Sequence, residues 1–240
     1  MRILIVADLH ANLEAIAVLP AQYDQMWVLG DLVNYGPNPG EVIDFVRENG
    51  SLVVRGNHDH AIGFDADARC SEPYRAMAAE MGRITQTLIS DEDRAFLRTL
   101  PLSITTEIHG YPFHLCHAVP TDPLFAYCPP TAAGWEEQVH SVGPGYLLVG
   151  HTHLQFQREL HGRLIVNPGS VGQPKMGSPR AAFAIWEDGR LELHSASYDF
   201  DKTVKKISRL DLSPAVKKDL IEVVETGALA AKSRQTGSAA

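Results

Sequence analysis

The sequence predicts an α/β protein on three observations. Strand and helix patterns alternate over the first 54 residues. The leading strand, residues 2–7, is a continuous apolar run with several β-branched side chains, as a strand buried on both faces requires. Polar residues capable of chemistry stand directly after strands, where parallel sheets carry their sites.

Each element follows from local signals. Asn12 suits the cap of a helix over 13–19, which Pro20 closes. Residues 25–29 read as a second strand ending at Gly30-Asp31. Residues 36–40 (Gly-Pro-Asn-Pro-Gly) read as a turn, and 41–48 as an amphipathic helix ended by Asn49-Gly50. A third strand covers 51–54, and this order argues for parallel βαβ units. Residues 61–71 read as a loop, and 72–89 and 91–100 as helices. Beyond Pro101, strands over 103–108 and 111–116 join at His109-Gly110. A helix over 131–141 precedes a buried strand over 146–149. Strands over 155–161 and 163–166 meet at Gly162. Those over 181–186 and 190–197 flank Asp188-Gly189, a strong hairpin signal. Helices over 201–209 and 214–225 follow. Residues 1–226 read as one domain, and 227–240 as a flexible tail.

Composition narrows the class. The 240 residues are 45% hydrophobic and 21% charged, with a net charge of −8. That balance excludes a broad basic surface for nucleic acid. No apolar run approaches the ~20 residues of a membrane span. The opening MRILIVADLH meets an acid and a histidine at once, which fits a first strand and not a signal peptide. Cys70, Cys116 and Cys128 form no C-x-x-C pair and read as reduced thiols of a cytoplasmic protein.

Five blocks carry the chemistry: Asp8-Leu9-His10, Gly30-Asp31, Gly56-Asn57-His58-Asp59, His117, and Gly150-His151-Thr152-His153. Each follows a strand, and three place Gly before the polar group, where close backbone approach is needed. Asp8 and His10 are two apart, as are His151 and His153. In extended chain such pairs face one side, and so one centre or two neighbouring ones. Carboxylate, imidazole and amide donors without thiolate suit Mn²⁺, Fe, Zn²⁺, Co²⁺ or Ni²⁺. Taken singly, each residue also has a plain structural reading: Asp8 as a helix cap, Asp31 and Asn57 as turn residues, His117 as a core histidine.

Further candidates surround these blocks. His60, two after His58, is a candidate to face a substrate. Residues 167–170 (Asn-Pro-Gly-Ser) read as a turn, or as a Gly-rich loop offering N–H groups to an anion. Lys175 and Arg180 are then candidates for a second phosphate. His114 faces away from His117 by its odd spacing. His109, His140, His161 and His194 read as surface. Residues 61–80 read as a lid or as a helix covering a sheet face.

The ordered blocks resemble the calcineurin-like metallophosphoesterase superfamily, from residue 2 to about residue 197. The segments GDLVNYGPNP and NPGSVGQP are similar to those of small bacterial members related to diadenosine tetraphosphatases. The resemblance implies a four-layer α/β/β/α sandwich with two mixed β-sheets. It also implies two metal ions, manganese first among the candidates. One is held by Asp8, His10, Asp31 and His153, the other by Asp31, Asn57, His117 and His151. The implied chemistry is in-line displacement, the metals lowering the pKa of a bridging water and clamping phosphoryl oxygens. His58 is expected as general acid or as a donor to the phosphate.

One departure stands out. Protein phosphatases of the superfamily read GD-x-V-D-R-G where this chain has Asn34 and Tyr35. Asn34 can accept a hydrogen bond from His58 but brings no charge, and Tyr35 cannot clamp phosphate as Arg does. The expected partner is therefore a small phosphorylated substrate, a phosphodiester or nucleotide. A phosphomonoesterase or protein phosphatase and a non-catalytic scaffold of the same fold are the alternatives.

Overall fold

The computed structural model describes residues 1–229; the remainder of the expected tail, 230–240, lies outside the described residues. Two five-stranded mixed sheets form the centre. The first has the order β10-β9-β1-β2-β3 and the second β4-β5-β6-β8-β7. In the first, β1 (Arg2–Val6), β2 (Gln25–Val28) and β3 (Gly50–Val53) run parallel, and β9 (Arg180–Glu187) joins β1 antiparallel. β10 (Arg190–Ser197) closes the hairpin across Asp188 and Gly189, which both adopt positive φ, as a two-residue turn of this twist requires.

The second sheet comprises β4 (Ser103–Ile108), β5 (Tyr111–Cys116), β6 (Gly145–Leu148), β7 (Phe156–Leu160) and β8 (Arg163–Asn167). β5, β6 and β8 are parallel, and the outer pairs antiparallel.

The two faces of β1 explain the layers. Ile3, Ile5 and Ala7 point between the sheets and meet Trp27, Phe113, Leu148, Val166 and Trp186. Trp27 and Trp186 each meet the Phe113 ring nearly edge-on, at 4.9 and 5.5 Å. Leu4 and Val6 point outward to Val42, Ile43 and Val46 of α2 (Pro39–Asn49). On the far side, Leu147 and Ile165 meet Trp135 and Val139 of α6 (Trp135–His140). The result is the four-layer α/β/β/α sandwich implied by the resemblance.

Several expected elements differ. Asn12 does cap α1, but α1 stops at Ile16 (Leu13–Ile16) after one turn; the Asn12 side chain also serves Gly172, Tyr198 and Thr203. Residues 36–40 are not wholly a turn, since Pro39 and Gly40 already lie in α2, with Pro where its missing N–H costs nothing. The expected loop at 61–71 begins as helix: α3 spans Asn57–Phe64, starting directly at the polar block. α6 is shorter than the expected 131–141. α4 (Glu72–Leu88) packs chiefly on α3, α2 and α8 (Pro214–Thr226), not on a sheet face. Gly227 ends α8 in the left-handed conformation, and its carbonyl accepts from Gly177 N–H. Among the described residues no helix is long and apolar enough to cross a membrane.

The return from β8 to β9 passes under the first loop of the chain. Val171 N–H donates to Ala7 O, Gly172 N–H to Asp8 O, and Ser170 Oγ to Asp8 O. A Cβ on Gly172 would lie 1.8 Å from Leu9 O. Backbone faces backbone there, so neither can yield cheaply. Gly172→Ala is expected to cost about 2 kcal/mol or more, a fall in Tm on the order of 5 °C by calorimetry. Gly143→Ala, where nothing lies within 4 Å, serves as the control and is expected to leave Tm nearly unchanged.

Candidate metal centre

Asp8, Asp31, His117, His151 and His153 stand in the loops after β1, β2, β5 and β6, Asn57 opens α3 after β3, and His10 follows Asp8. All converge at one end of the two sheets. The i, i+2 pairs do not converge by extended geometry, as their spacing suggested. Asp8, His10, Ala11, Asp31, Asn34, Tyr35, His151 and His153 all adopt φ between 41° and 72°. These left-handed turns cost energy in non-glycine residues. They curl the loops back so that the side chains meet.

The glycines of the blocks admit this crowding. A Cβ on Gly56 would lie 2.0 Å from Asp31 Oδ1, and one on Gly30 would lie 2.5 Å from Gly56 N. Asp59, which the sequence reading left without a role, joins these loops. Its buried carboxylate accepts from the backbone N–H of Asp31 and Leu32 at 2.8 Å and of Gly56 at 3.0 Å. A carboxylate three residues after the helix-entry residue Gly56 was the available signal. Asn167 does the same for the GHTH loop: its amide donates to Gly150 O and Thr152 Oγ1. Residues 167–172 are therefore a scaffold and not an anion-binding loop, because the N–H groups of Gly169, Val171 and Gly172 are spent inside the protein.

Proton positions follow from the fixed partners. His10 Nδ1 faces Val33 O and His153 Nδ1 faces Gln173 O. A carbonyl only accepts, so both protons sit on Nδ1, and burial holds both rings neutral. Their Nε2 lone pairs then face each other at 3.2 Å. Asp31 Oδ2 lies 3.7 Å from His10 Nε2, and Asp8 Oδ1 lies 3.4 Å from His153 Nε2. These four residues place one donor atom each within 4.8 Å of one another.

A second cluster shares Asp31. His117 donates Nδ1–H to Leu29 O, and its Nε2 lies 3.3 Å from Asp31 Oδ2 and 3.0 Å from Asn57 Oδ1. The Asn57 amide is oriented by its Nδ2–H bond to Ala68 O, which leaves Oδ1 facing inward. His151 Nδ1 lies 3.1 Å from the same Oδ1. Burial disfavours a charged His117, yet Asp31, and behind it Asp8, outweigh burial and push the imidazole up to about 9. The carboxylates thus demand positive charge at this spot. Asp8 Oδ2 is buried with no hydrogen-bond partner, an expensive arrangement unless a cation meets it. Convergent lone pairs, an orphaned carboxylate oxygen and second-nitrogen protons fixed by carbonyls fit divalent metal ions.

His58 stands beside these clusters with its N–H bonded to Asp31 Oδ1. Asn34 meets it differently from expectation. Asn34 Oδ1 accepts from Tyr35 N–H, and Nδ2 donates to Ala78 O, so the amide cannot be turned around. The same Nδ2 lies 2.9 Å from His58 Nδ1. Asn34 therefore donates, His58 Nδ1 accepts, and the imidazole proton resides on Nε2. Burial pushes the His58 pKa down to about 4, opposed by Asp31. Nε2 lies 3.4 Å from Cys70 Sγ.

A cleft of about 600 Å³ opens over the clusters, its wall including Asp31, His58, Tyr74, Phe125, Tyr127 and Lys175. Lys175 lines this cleft, its Nζ 4.2 Å from the centre of the Tyr74 ring. Arg69 sits 4.3 Å over Phe125. Cys70 and Tyr74 make part of the 61–80 segment a wall of the cleft. Two candidates fall elsewhere. His60 is outside the lining, stacked on Phe64 at 4.8 Å. The Arg180 guanidinium is held by Ser195 and Ser197 on β10, because the hairpin pairs it with their strand.

Comparison with known proteins agrees with this geometry. The family model for the calcineurin-like phosphoesterase superfamily domain matches residues 1–188. An uncharacterized protein of Methanocaldococcus jannaschii is 32% identical over 228 residues, covering 85% of this chain and 91% of that one. The crystal structure of a metallophosphoesterase from Sphaerobacter thermophilus superimposes with a TM-score of 0.79 at 29% identity, covering 92% of this chain and 98% of that one. A symmetrical bis(5'-nucleosyl)-tetraphosphatase of Aromatoleum aromaticum is 40% identical over 81 residues, 33% of this chain and 29% of that protein. With its convergent Asp and His donors and four-layer fold, the chain belongs to the calcineurin-like phosphoesterase superfamily.

Proposed function

We propose that the chain is a dinuclear-metal-dependent phosphoesterase acting on a phosphodiester or nucleotide. The observation that carries this reading is the pair of donor clusters joined at Asp31 Oδ2. Asp8, His10, Asp31 and His153 would hold one ion, and Asp31, Asn57, His117 and His151 the other. Bound there, divalent ions activate a water and draw charge from phosphoryl oxygens. Manganese heads the ions that suit this donor set.

The protein's own groups do the rest. His58, neutral with its proton on Nε2, donates a hydrogen bond to a phosphoryl or leaving oxygen. It is the donor alternative of the sequence reading that fits, because a neutral imidazole releases its proton too reluctantly for acid catalysis. A leaving group that needs little protonation, such as the phosphate expelled from a nucleotide anhydride, suits that arrangement. Lys175 adds a positive charge on the cleft wall for further phosphate oxygens. With Tyr35 buried against His10 and His58, no guanidinium stands where a protein phosphatase would use one.

Two measurements test the reading. Protein loaded with Mn²⁺, and separately with Ni²⁺, Co²⁺, Fe²⁺ or Zn²⁺, is expected to hydrolyse bis-p-nitrophenyl phosphate faster than the monoester. Asp31→Ala is expected to abolish this activity together with metal binding by calorimetry. Hydrolysis of neither ester under any of these ions refutes the proposal. His58→Ala is expected to lower kcat by about 10²–10³, as loss of one donor to a developing charge does. Its metal content should match wild type, measured by elemental analysis; unchanged turnover removes His58 from the chemistry.

A further inference from the structure

Tyr127 stands out among the aromatic side chains of the cleft. Tyr74, Phe125 and Tyr127 all line the space above the two clusters. Two of them already carry a cation on a face: Lys175 over Tyr74 and Arg69 over Phe125. Phe125 also receives the edge of His60 at 6.1 Å. Among the described residues, no cation covers Tyr127. The residue is 61% exposed, and its ring approaches that of His151 edge-on at 6.1 Å. A single exposed aromatic side chain is ordinary, so only its position can give it a role.

Position supplies one. His151 belongs to the second donor cluster through Asn57 Oδ1, so Tyr127 begins within one ring's reach of the place where phosphate would sit. Lys175 and Arg69 are steadied by the rings beneath them and offer charge on the same walls. A flat apolar platform beside a phosphate site and flanked by cations matches a phosphorylated molecule with an aromatic base. An aliphatic phosphate would leave the platform idle.

Building on the phosphoesterase reading, we propose that Tyr127 is the specificity-determining residue of this cleft: its exposed ring stacks on the base of a nucleoside phosphate. The base lies on Tyr127, and the phosphate lies at the Asp31-centred clusters. Stacking of this kind tolerates any base, because each has a π-face. The substrate class is therefore nucleoside phosphates or diesters without strict choice of base.

The test is a binding comparison that does not depend on turnover. Adenosine 5'-monophosphate and ribose 5-phosphate carry the same phosphate and differ by the base. Isothermal titration calorimetry on the Mn²⁺-supplemented full chain is expected to give a preference for the nucleotide of about tenfold or more, the size of one base–aromatic stack. Tyr127→Ala is expected to reduce that preference to near unity by weakening the nucleotide alone, and Tyr127→Phe to restore it. Equal affinity of the wild type for both probes, absence of binding by either, or a preference that survives Tyr127→Ala overturns the proposal. A preference that behaves as expected in a protein without hydrolytic activity would sink the phosphoesterase reading and leave the platform standing. Hydrolysis of bis-p-nitrophenyl phosphate without any nucleotide preference would do the reverse.

Discussion

The Asp59 carboxylate receives the N–H groups of Asp31, Leu32 and Gly56, and the centre is built outward from that contact. Burial, and then the nearby Asp31, push its pKa up to about 6, opposed by the backbone donors. An acceptor with several well-aimed donors can stay in the interior where an isolated carboxylate could not. The bond ties the loop after β2 to the start of α3. Asp31, which both donor clusters share, is thereby fixed from its own backbone. Gly56 completes the arrangement by having no Cβ to collide with Asp31.

The same economy governs the strained backbone. Left-handed conformations at Asp8, His10, Asp31, His151 and His153 each cost on the order of 1 kcal/mol or more. They persist because hydrogen bonds over-determine them. His10 N–H reaches Asp31 O, Ala11 N–H reaches Leu32 O, and His151 N–H reaches Asp8 Oδ1. The short polar side chains at these positions tolerate left-handed φ better than branched ones would. The residue types that chemistry requires are thus also those that the turns accept.

Much of this was legible in the sequence. Alternating strands and helices, the hairpin at Asp188-Gly189 and strands such as 103–108 and 111–116 follow from period and turn chemistry. The seven donor residues stand out because each comes directly after a strand or beside such a residue. The remainder depended on contacts distant in the chain. Asn12 caps α1 as read, yet its bonds to Gly172 and Thr203 could not be inferred from residues 12–20. The polar Asn57-His58-Asp59-His60 masks a helix start, because its buried face is a site and not an apolar stripe. The direction of the Asn34–His58 bond rests on Ala78 O, which no local pattern links to Asn34. His60 and Arg180 were credible from type and spacing alone, and tertiary neighbours assigned them to Phe64 and to β10.

The clamp formed by residues 170–172 also fixes an order of events. Ser170 bonds the carbonyl of a residue 162 positions earlier. A chain emerging from synthesis can assemble its first strands and helices from nearby sequence, but the carbonyl of Asp8 lacks its partners until the loop between β8 and β9 has been made. Contacts of such long separation close late, after the loop entropy between them has been overcome. The loop that carries Asp8 is therefore completed only by sequence more than 160 residues downstream, and a chain terminated before residue 170 would lack the frame that holds it.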